Sequence, residues 1–428
     1  MKLLKGASVY LISNILNSAI PFLLLPILTR YLSTEEYGKI AMFQIFLAGI
    51  GTLIGCNTIS AISRKYFDDR KNDNELKKYN NSCLFILFIS SIFIFIIVSI
   101  FINQLSSFLS IPPKWVFIAI IISTINYIIS LRLIQWQVRG EAKKFGILQL
   151  SNSSTNITLS LVLIIIFNQG AQGRIDAQFI ASILFFILSA FLLIKGNLIS
   201  PIPKPTYSLV KDALSYSIPL LPHTIGVFFI SFIDRFIINK EMGLGEAGIY
   251  MVAVQLSSTI AIIFNSLYQA YIPWLFDRLK KDDENEKLKI VKYTYLFFIF
   301  LIFSSLIIFI ISPIIVKFLV GEQYHSITNI IGWLCIGQIF GGMYLIMSGY
   351  IYYSKKTSRL ALITISSGIT NVLLLIVFVP IYGLIGAAIS FSFVKIVQFI
   401  AVYLSSIKCV NMPWFNFTGN TNEFHKKN

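Results

Sequence analysis

Histidine is nearly absent from this 428-residue chain: the three present, His223, His325 and His425, are too scattered to assemble a metal cluster. Cysteine is almost as rare. Cys56, Cys83, Cys335 and Cys409 lie in or beside apolar runs without CxxC spacing, so neither a disulfide framework nor a zinc site is suggested and a packing role is expected. Acidic residues number 19 against 35 Lys and Arg, and charged residues of either sign make up only 13% of the chain. The phosphate-binding GxxxxGK[ST], nucleophile-elbow GxSxG and HExxH patterns are missing, no paired carboxylates suggest acid–base work, and no loop could hold a separate catalytic domain. These gaps argue against an enzyme, and no catalytic residue, metal or cofactor is expected.

What fills the chain is apolar. Hydrophobic residues make up 56% of it, 37 of them Phe, against roughly 45–50% in soluble domains, and the mean hydropathy is +0.77. Such a chain belongs in a bilayer, where a helix needs roughly 20 apolar residues to span because its backbone must satisfy its own hydrogen bonds. Twelve such runs can be read, which predicts an all-α polytopic membrane protein. The first, starting near Val9, has no small-residue cleavage site and reads as a span, not a cleavable signal.

A net charge of +16 would raise the question of nucleic acid in a soluble protein. Here the basic residues alternate between loops: 26 of the 35 fall on one side of the expected topology, 7 on the other, and Arg132 and Lys395 lie within spans. That is the positive-inside pattern, with both termini cytoplasmic and no nucleic-acid partner.

The chain also repeats. In the run from Ile20 to Ala48, Arg30, Glu36 and Gly38 recur 210 positions later as Lys240, Glu246 and Gly248, and RGEAKKFGILQLSNSSTNI from Arg139 echoes SKKTSRLALITISSGITNV from Ser354 at an offset of 215. Two echoes at nearly one offset imply a duplicated six-helix unit. The expected boundaries are an N-terminal bundle over 1–200, a proline-bearing cytoplasmic linker over 201–212, a C-terminal bundle over 213–407 and a cytoplasmic tail over 408–428.

Polar groups inside the membrane are costly and therefore informative. Lys395 stands eleven residues into the last span, roughly 17 Å along it at ~1.5 Å per residue, and shares a face with Ser392 and Gln398. It reads as a cavity cation, or as a lysine that snorkels or pairs with an acid from another helix. Arg132, with Gln135 and Arg139, forms a second polar stripe nearer the inner face, where snorkelling is the other reading. Arg30 and Lys240 are equivalent interface residues, either anchors or contacts. Asp234 and Arg235, placed near the outer end of the seventh span, are an ion pair at a helix end or a gate. Asn156 and Asn371 close equivalent Ser/Thr/Asn-rich turns suited to helix packing or to ligand contact.

The runs RYLSTEEYGKIAMFQ from Arg30, SIPLLPHTIGVFFISFIDRFII from Ser217, EAGIYMVAVQLSS from Glu246 and RGEAKKF from Arg139 resemble the polysaccharide-export flippases of the Wzx or O-antigen-translocase type, within the superfamily that also holds multidrug extruders. The resemblance implies two pseudo-symmetric bundles around a central cavity, in the bacterial cytoplasmic membrane. It implies movement of an undecaprenyl-diphosphate-linked oligosaccharide from the inner to the outer leaflet, among membrane lipids and alongside the polymerase and chain-length machinery. On this reading Lys395, Arg132, Arg30 and Arg235 meet the diphosphate, and Gln398, Asn156 and Asn371 belong to the substrate path. The alternatives are a multidrug or cation antiporter, which would need a carboxylate within the membrane that the centres of spans 1 to 5 lack, and a polymerase or glycosyltransferase, which would need a large outer loop or an acid–base cluster.

Overall fold

The computed structural model describes residues 2–68 and 73–414; the far end of the expected tail, from 415 on, lies outside the described residues. Every regular element among the described residues is helical. The first bundle holds α1 (Lys2–Tyr31), α2 (Thr34–Leu53), α3 (Thr58–Asp68), α4 (Asp73–Ile100), the short α5 (Ile102–Leu109), α6 (Pro113–Val138), α7 (Ala142–Leu161) and α8 (Gly170–Lys195). The second holds α9 (Tyr207–Ser217), α10 (Leu221–Ser231), α11 (Ile233–Met242), α12 (Leu244–Lys281), α13 (Glu284–Leu319), α14 (Ile331–Tyr353) and α15 (Thr357–Ile407).

Twelve crossings follow. Among the described residues, ten helical stretches are long and apolar enough to cross a membrane by length and composition. The 30 residues of α1 add one more. The 51 residues of α15 make two, because the chain reverses at Gly383, whose φ of 58° suits a residue without a Cβ. The reversal is tight: a Cβ on Gly386 would lie 2.2 Å from the carbonyl oxygen of Phe378, although eight residues of straight helix span about 12 Å. The outward faces of α4 and α13 expose Phe88, Phe93, Ile96, Ile299, Phe303 and Ile310, an arrangement that suits acyl chains and would be costly in water.

Local chemistry sets the breaks. In α2, Ser33 and Glu36 form a reciprocal capping box. The second span is interrupted between α2 and α3, where Gly55, Cys56 and Asn57 all take positive φ. The seventh span, which carries Pro219, Pro222 and Gly226, tightens into a 3₁₀ turn at Ile218–Leu220 and breaks a second time at Phe232 (φ −135°, ψ −26°), between α10 and α11.

Loop contacts sort the loops into two ends. At the lysine-poor end, Glu36 reaches Ala171, Ser110 reaches Asn239, and Gln323 reaches Thr29 and Leu32. At the lysine-rich end, Arg139 pairs with Asp73, Tyr79 bonds Asp212, and Asn81 holds Ser200.

The two bundles close on each other at the lysine-poor end. There α2 and α12 cross with so little between them that a Cβ on Gly38 would lie 1.9 Å from the carbonyl oxygen of Leu244. A strap from the second bundle, a 3₁₀ turn at Glu322–Asn329, lies over the α1–α2 turn of the first. Gly321 N donates to Thr29 Oγ1 (3.2 Å), Gln323 Nε2 to the Thr29 and Leu32 carbonyls (3.2 and 2.8 Å), and the Tyr324 hydroxyl sits 2.9 and 3.0 Å from the Leu32 and Ser33 carbonyls.

Candidate substrate cavity between the bundles

Beneath this closure lies a cavity of about 490 Å³ shared by both bundles. The first contributes Tyr37, Gln44, Arg174 and Gln178, and the second Ser231, Phe232, Arg235 and Gln255, above a floor of Leu24, Leu28, Ile40, Met251 and Val254. Two arginines therefore face one space from opposite bundles, and no Asp or Glu lines it among the described residues.

Read from its apolar run, DAQFIASILFFILSAFLLI, the sixth span begins at Asp176 and leaves Arg174 in a loop. The helix starts earlier because Gly170 turns the chain with φ of 54° and Glu36 Oε1 accepts from the Ala171 N–H (3.1 Å), capping α8 from another helix. Arg174 then lies one turn inside the span. Its Nη1 donates to Asn156 Oδ1 (2.6 Å) and Ser160 Oγ (3.0 Å), and Ser160 donates in turn to the Asn156 carbonyl (2.7 Å). Asn156 thus acts as the holder of a cavity cation.

Arg235 stands in the break of the seventh span, buried in the cavity wall and not at an exposed helix end. Its Nη1 lies 3.2 Å from Asp234 Oδ1 and donates to the Ser231 carbonyl, while Asp234 Oδ1 accepts the Arg235 backbone N–H (2.8 Å). The two side chains thereby serve the carbonyl and the N–H that an unbroken helix would pair with each other. Across the cavity, Gln44 donates to Gln178 (2.8 Å), and the Tyr37 hydroxyl meets Gln255 Oε1 (3.4 Å) from the opposite bundle.

The other residues singled out by sequence lie elsewhere. Arg30 is exposed at the lysine-poor end and does not line this cavity. Arg132 is 8% exposed inside the first bundle, its guanidinium 4.0 Å over the Trp136 ring; its stripe faces its own bundle, with Gln135 donating to Asn80 and Arg139 paired to Asp73. Asn371 donates to the Phe229 carbonyl (3.2 Å), beside the break in the seventh span. Lys395 and Gln398 line a separate cavity of about 290 Å³ within the second bundle. His223 belongs to α10, and His425 lies outside the described residues.

The sequence profile of a family described as polysaccharide biosynthesis protein matches residues 3–278. A Haemophilus influenzae Lsg locus protein is 24% identical over 417 residues, 95% of this chain and 99% of that protein. A Shigella flexneri protein named "Putative O-antigen transporter" is 25% identical over 396 residues, 89% of this chain and 92% of its own length. Among solved structures, an inward-facing multidrug resistance MATE family transporter of the MOP superfamily superposes with a TM-score of 0.69 at 16% identity, covering 94% of this chain and 97% of that one. The fold, twelve spans in two bundles among the described residues, is like that of this solved transporter.

Proposed function

The chain belongs to the polysaccharide biosynthesis protein family, and from that premise we propose that it is a flippase: it carries an undecaprenyl-diphosphate-linked oligosaccharide repeat unit from the inner to the outer leaflet of the bacterial cytoplasmic membrane by alternating access. The observation that carries this reading is the facing of Arg174 and Arg235 into one cavity from opposite bundles, with no carboxylate among the described lining residues and Asp234 paired to Arg235 from behind the lining. A diphosphate entering such a space loses water, and guanidinium groups replace that hydration with charge-assisted, bidentate hydrogen bonds. Glutamine, serine and tyrosine around them suit the glycan, while the polyprenyl tail stays in the bilayer.

The lysine-rich end faces the cytoplasm on the charge rule, so the bundles are closed on the outer side and both termini are cytoplasmic. The moving bodies are 1–200 and 213–407, joined by the linker 201–212, with 408–428 as the tail. Arg174 and Arg235 hold the headgroup, Asn156 positions Arg174, and Asp234 positions Arg235. Arg30, Arg132 and Asn371 have structural work as an interface anchor, a Trp136-stacked bundle residue and a helix tie. The polymerase and chain-length machinery receive the product. A cation antiporter is disfavoured by the same pair of arginines, which would repel its cargo.

The test is deletion of the gene with leaflet-resolved analysis of lipid-linked glycans. Complete single repeat units should accumulate on the cytoplasmic leaflet and clear on re-expression of the wild type. Accumulation on the outer leaflet, or a change in drug resistance with glycan export intact, overturns the reading.

A further inference from the structure

The second cavity, about 290 Å³, lies wholly within the C-terminal bundle, between α10, α12, α14 and α15. Around it stand Phe264, Asn265, Gln338, Tyr344, Lys395 and Gln398, and no described lining residue is acidic. Lys395 makes no ion pair or hydrogen bond among the described residues; its nearest interaction is with the Phe391 ring, 5.6 Å from Nζ. Gln398 is 3% exposed, and its Oε1 has no donor. Glycines keep the space open: a Cβ on Gly341 would stand 3.9 Å from Lys395 Cδ, and one on Gly342 would run into the Phe264 ring at 2.4 Å, so that ring lies flat along α14.

A half-buried ammonium facing a cavity without a carboxylate and a buried amide oxygen without a donor are both unfavourable in the empty protein, and one ligand carrying an anionic group and hydroxyls satisfies both. The space equals on the order of ten waters at ~30 Å³ each, the scale of one sugar ring and not of a whole oligosaccharide. Aromatic faces beside amides suit the apolar and hydroxyl-bearing sides of such a ring. Position strengthens the case. Ser231 lines this cavity and the cavity between the bundles alike, so the two meet at the break in the seventh span, one side of which carries Arg235. Sugars joined to a diphosphate held at Arg174 and Arg235 begin beside the wall that the two cavities share at Ser231.

Resting on the transport reading above, the geometry points to the Lys395 cavity as a subsite for a carboxylate-bearing sugar of the carried glycan, the carboxylate on Lys395 Nζ and a sugar hydroxyl donating to Gln398 Oε1. Lys395 is then a specificity residue for acidic repeat units, separate from the diphosphate contacts.

Purified full-length protein in nanodiscs tests this with D-glucuronate as probe and D-glucose, chloride and inorganic phosphate at matched ionic strength as controls. Glucuronate should raise the melting midpoint by about 2 °C or more, and glucose should not. The shift should vanish in Lys395→Gln, persist in part in Lys395→Arg and be unchanged in Arg174→Gln. Lys395→Gln without ligand should melt no lower than wild type, because it removes a charge that has no partner within the bundle. An equal shift with chloride or phosphate, lost with Lys395→Gln, identifies a simple anion site and overturns the sugar assignment, as does a glucuronate shift that survives Lys395→Gln. A second arm separates this subsite from the transport reading: the lipid-linked glycan that accumulates on deletion should contain an acidic sugar by mass spectrometry. A neutral glycan overturns the subsite and leaves transport standing; no accumulation overturns both.

Discussion

Gly38 and Gly248 occupy equivalent places in the two halves of the chain, and they touch: a Cβ on Gly248 would lie 2.7 Å from the Gly38 nitrogen and 2.0 Å from the Thr34 carbonyl oxygen. The duplicated glycine therefore makes the contact by which one half closes on the other. Bulk at either position holds the bundles apart, and Gly248→Leu is expected to raise maleimide labelling of a cysteine placed at Gln44, with export falling at least tenfold and membrane levels near normal. Labelling equal to that of the closed protein would contradict a closure made here.

Loss of either cavity cation should act on transport more than on folding. Arg174→Gln and Arg235→Gln each remove charge-assisted bonds worth about 1.5–3 kcal/mol, which predicts a drop of roughly 10- to 100-fold in headgroup affinity. Flipping of a lipid-linked oligosaccharide in proteoliposomes measures it, and Lys at either position should recover part of the rate.

Asp234 and Arg235 are both buried, so removing only the acid leaves a cation without its partner. Asp234→Ala should destabilise the second bundle by about 3–5 kcal/mol, read as a lowered melting midpoint. The double variant Asp234→Asn with Arg235→Gln should regain stability and still fail to export. A double variant as unstable as the single one would show that pairing is not the cause.

The strap can be loosened without touching the cavity. Gln323→Ala together with Tyr324→Phe removes the side-chain hydrogen bonds to the Thr29, Leu32 and Ser33 carbonyls, each worth about 0.5–1.5 kcal/mol net. The population should move toward a state open at the lysine-poor end, seen as a wider distance between spin labels at Thr34 and Glu322.

How much of this was legible depends on the range of the interaction that decides each feature. The duplication and the twelve spans are written in local composition and spacing, as is the stripe that brings Lys395 and Gln398 to one cavity. That Gly38 meets Gly248 is a contact across 210 residues, and no window of sequence holds it. Arg174 was hidden for a related reason: charge counting places it in a loop, and only the cap that Glu36 supplies from another helix pulls the start of α8 back to Gly170. Arg132 shows the opposite limit. Its presence inside the membrane could be read, but the stacking on Trp136 that turns it into its own bundle depends on how α6 is rotated, which a charge count does not register.

The guanidinium of Arg235 works as a splint across the fracture between α10 and α11, because it occupies the Ser231 carbonyl that the missing turn leaves bare. Any anion that recruits the same nitrogens competes with that carbonyl for them. On the proposed reading, loading and joint stiffness are a single equilibrium: an occupied transporter is expected to have a looser seventh helix than an empty one, so that the cargo itself lowers the resistance to the rearrangement that releases it.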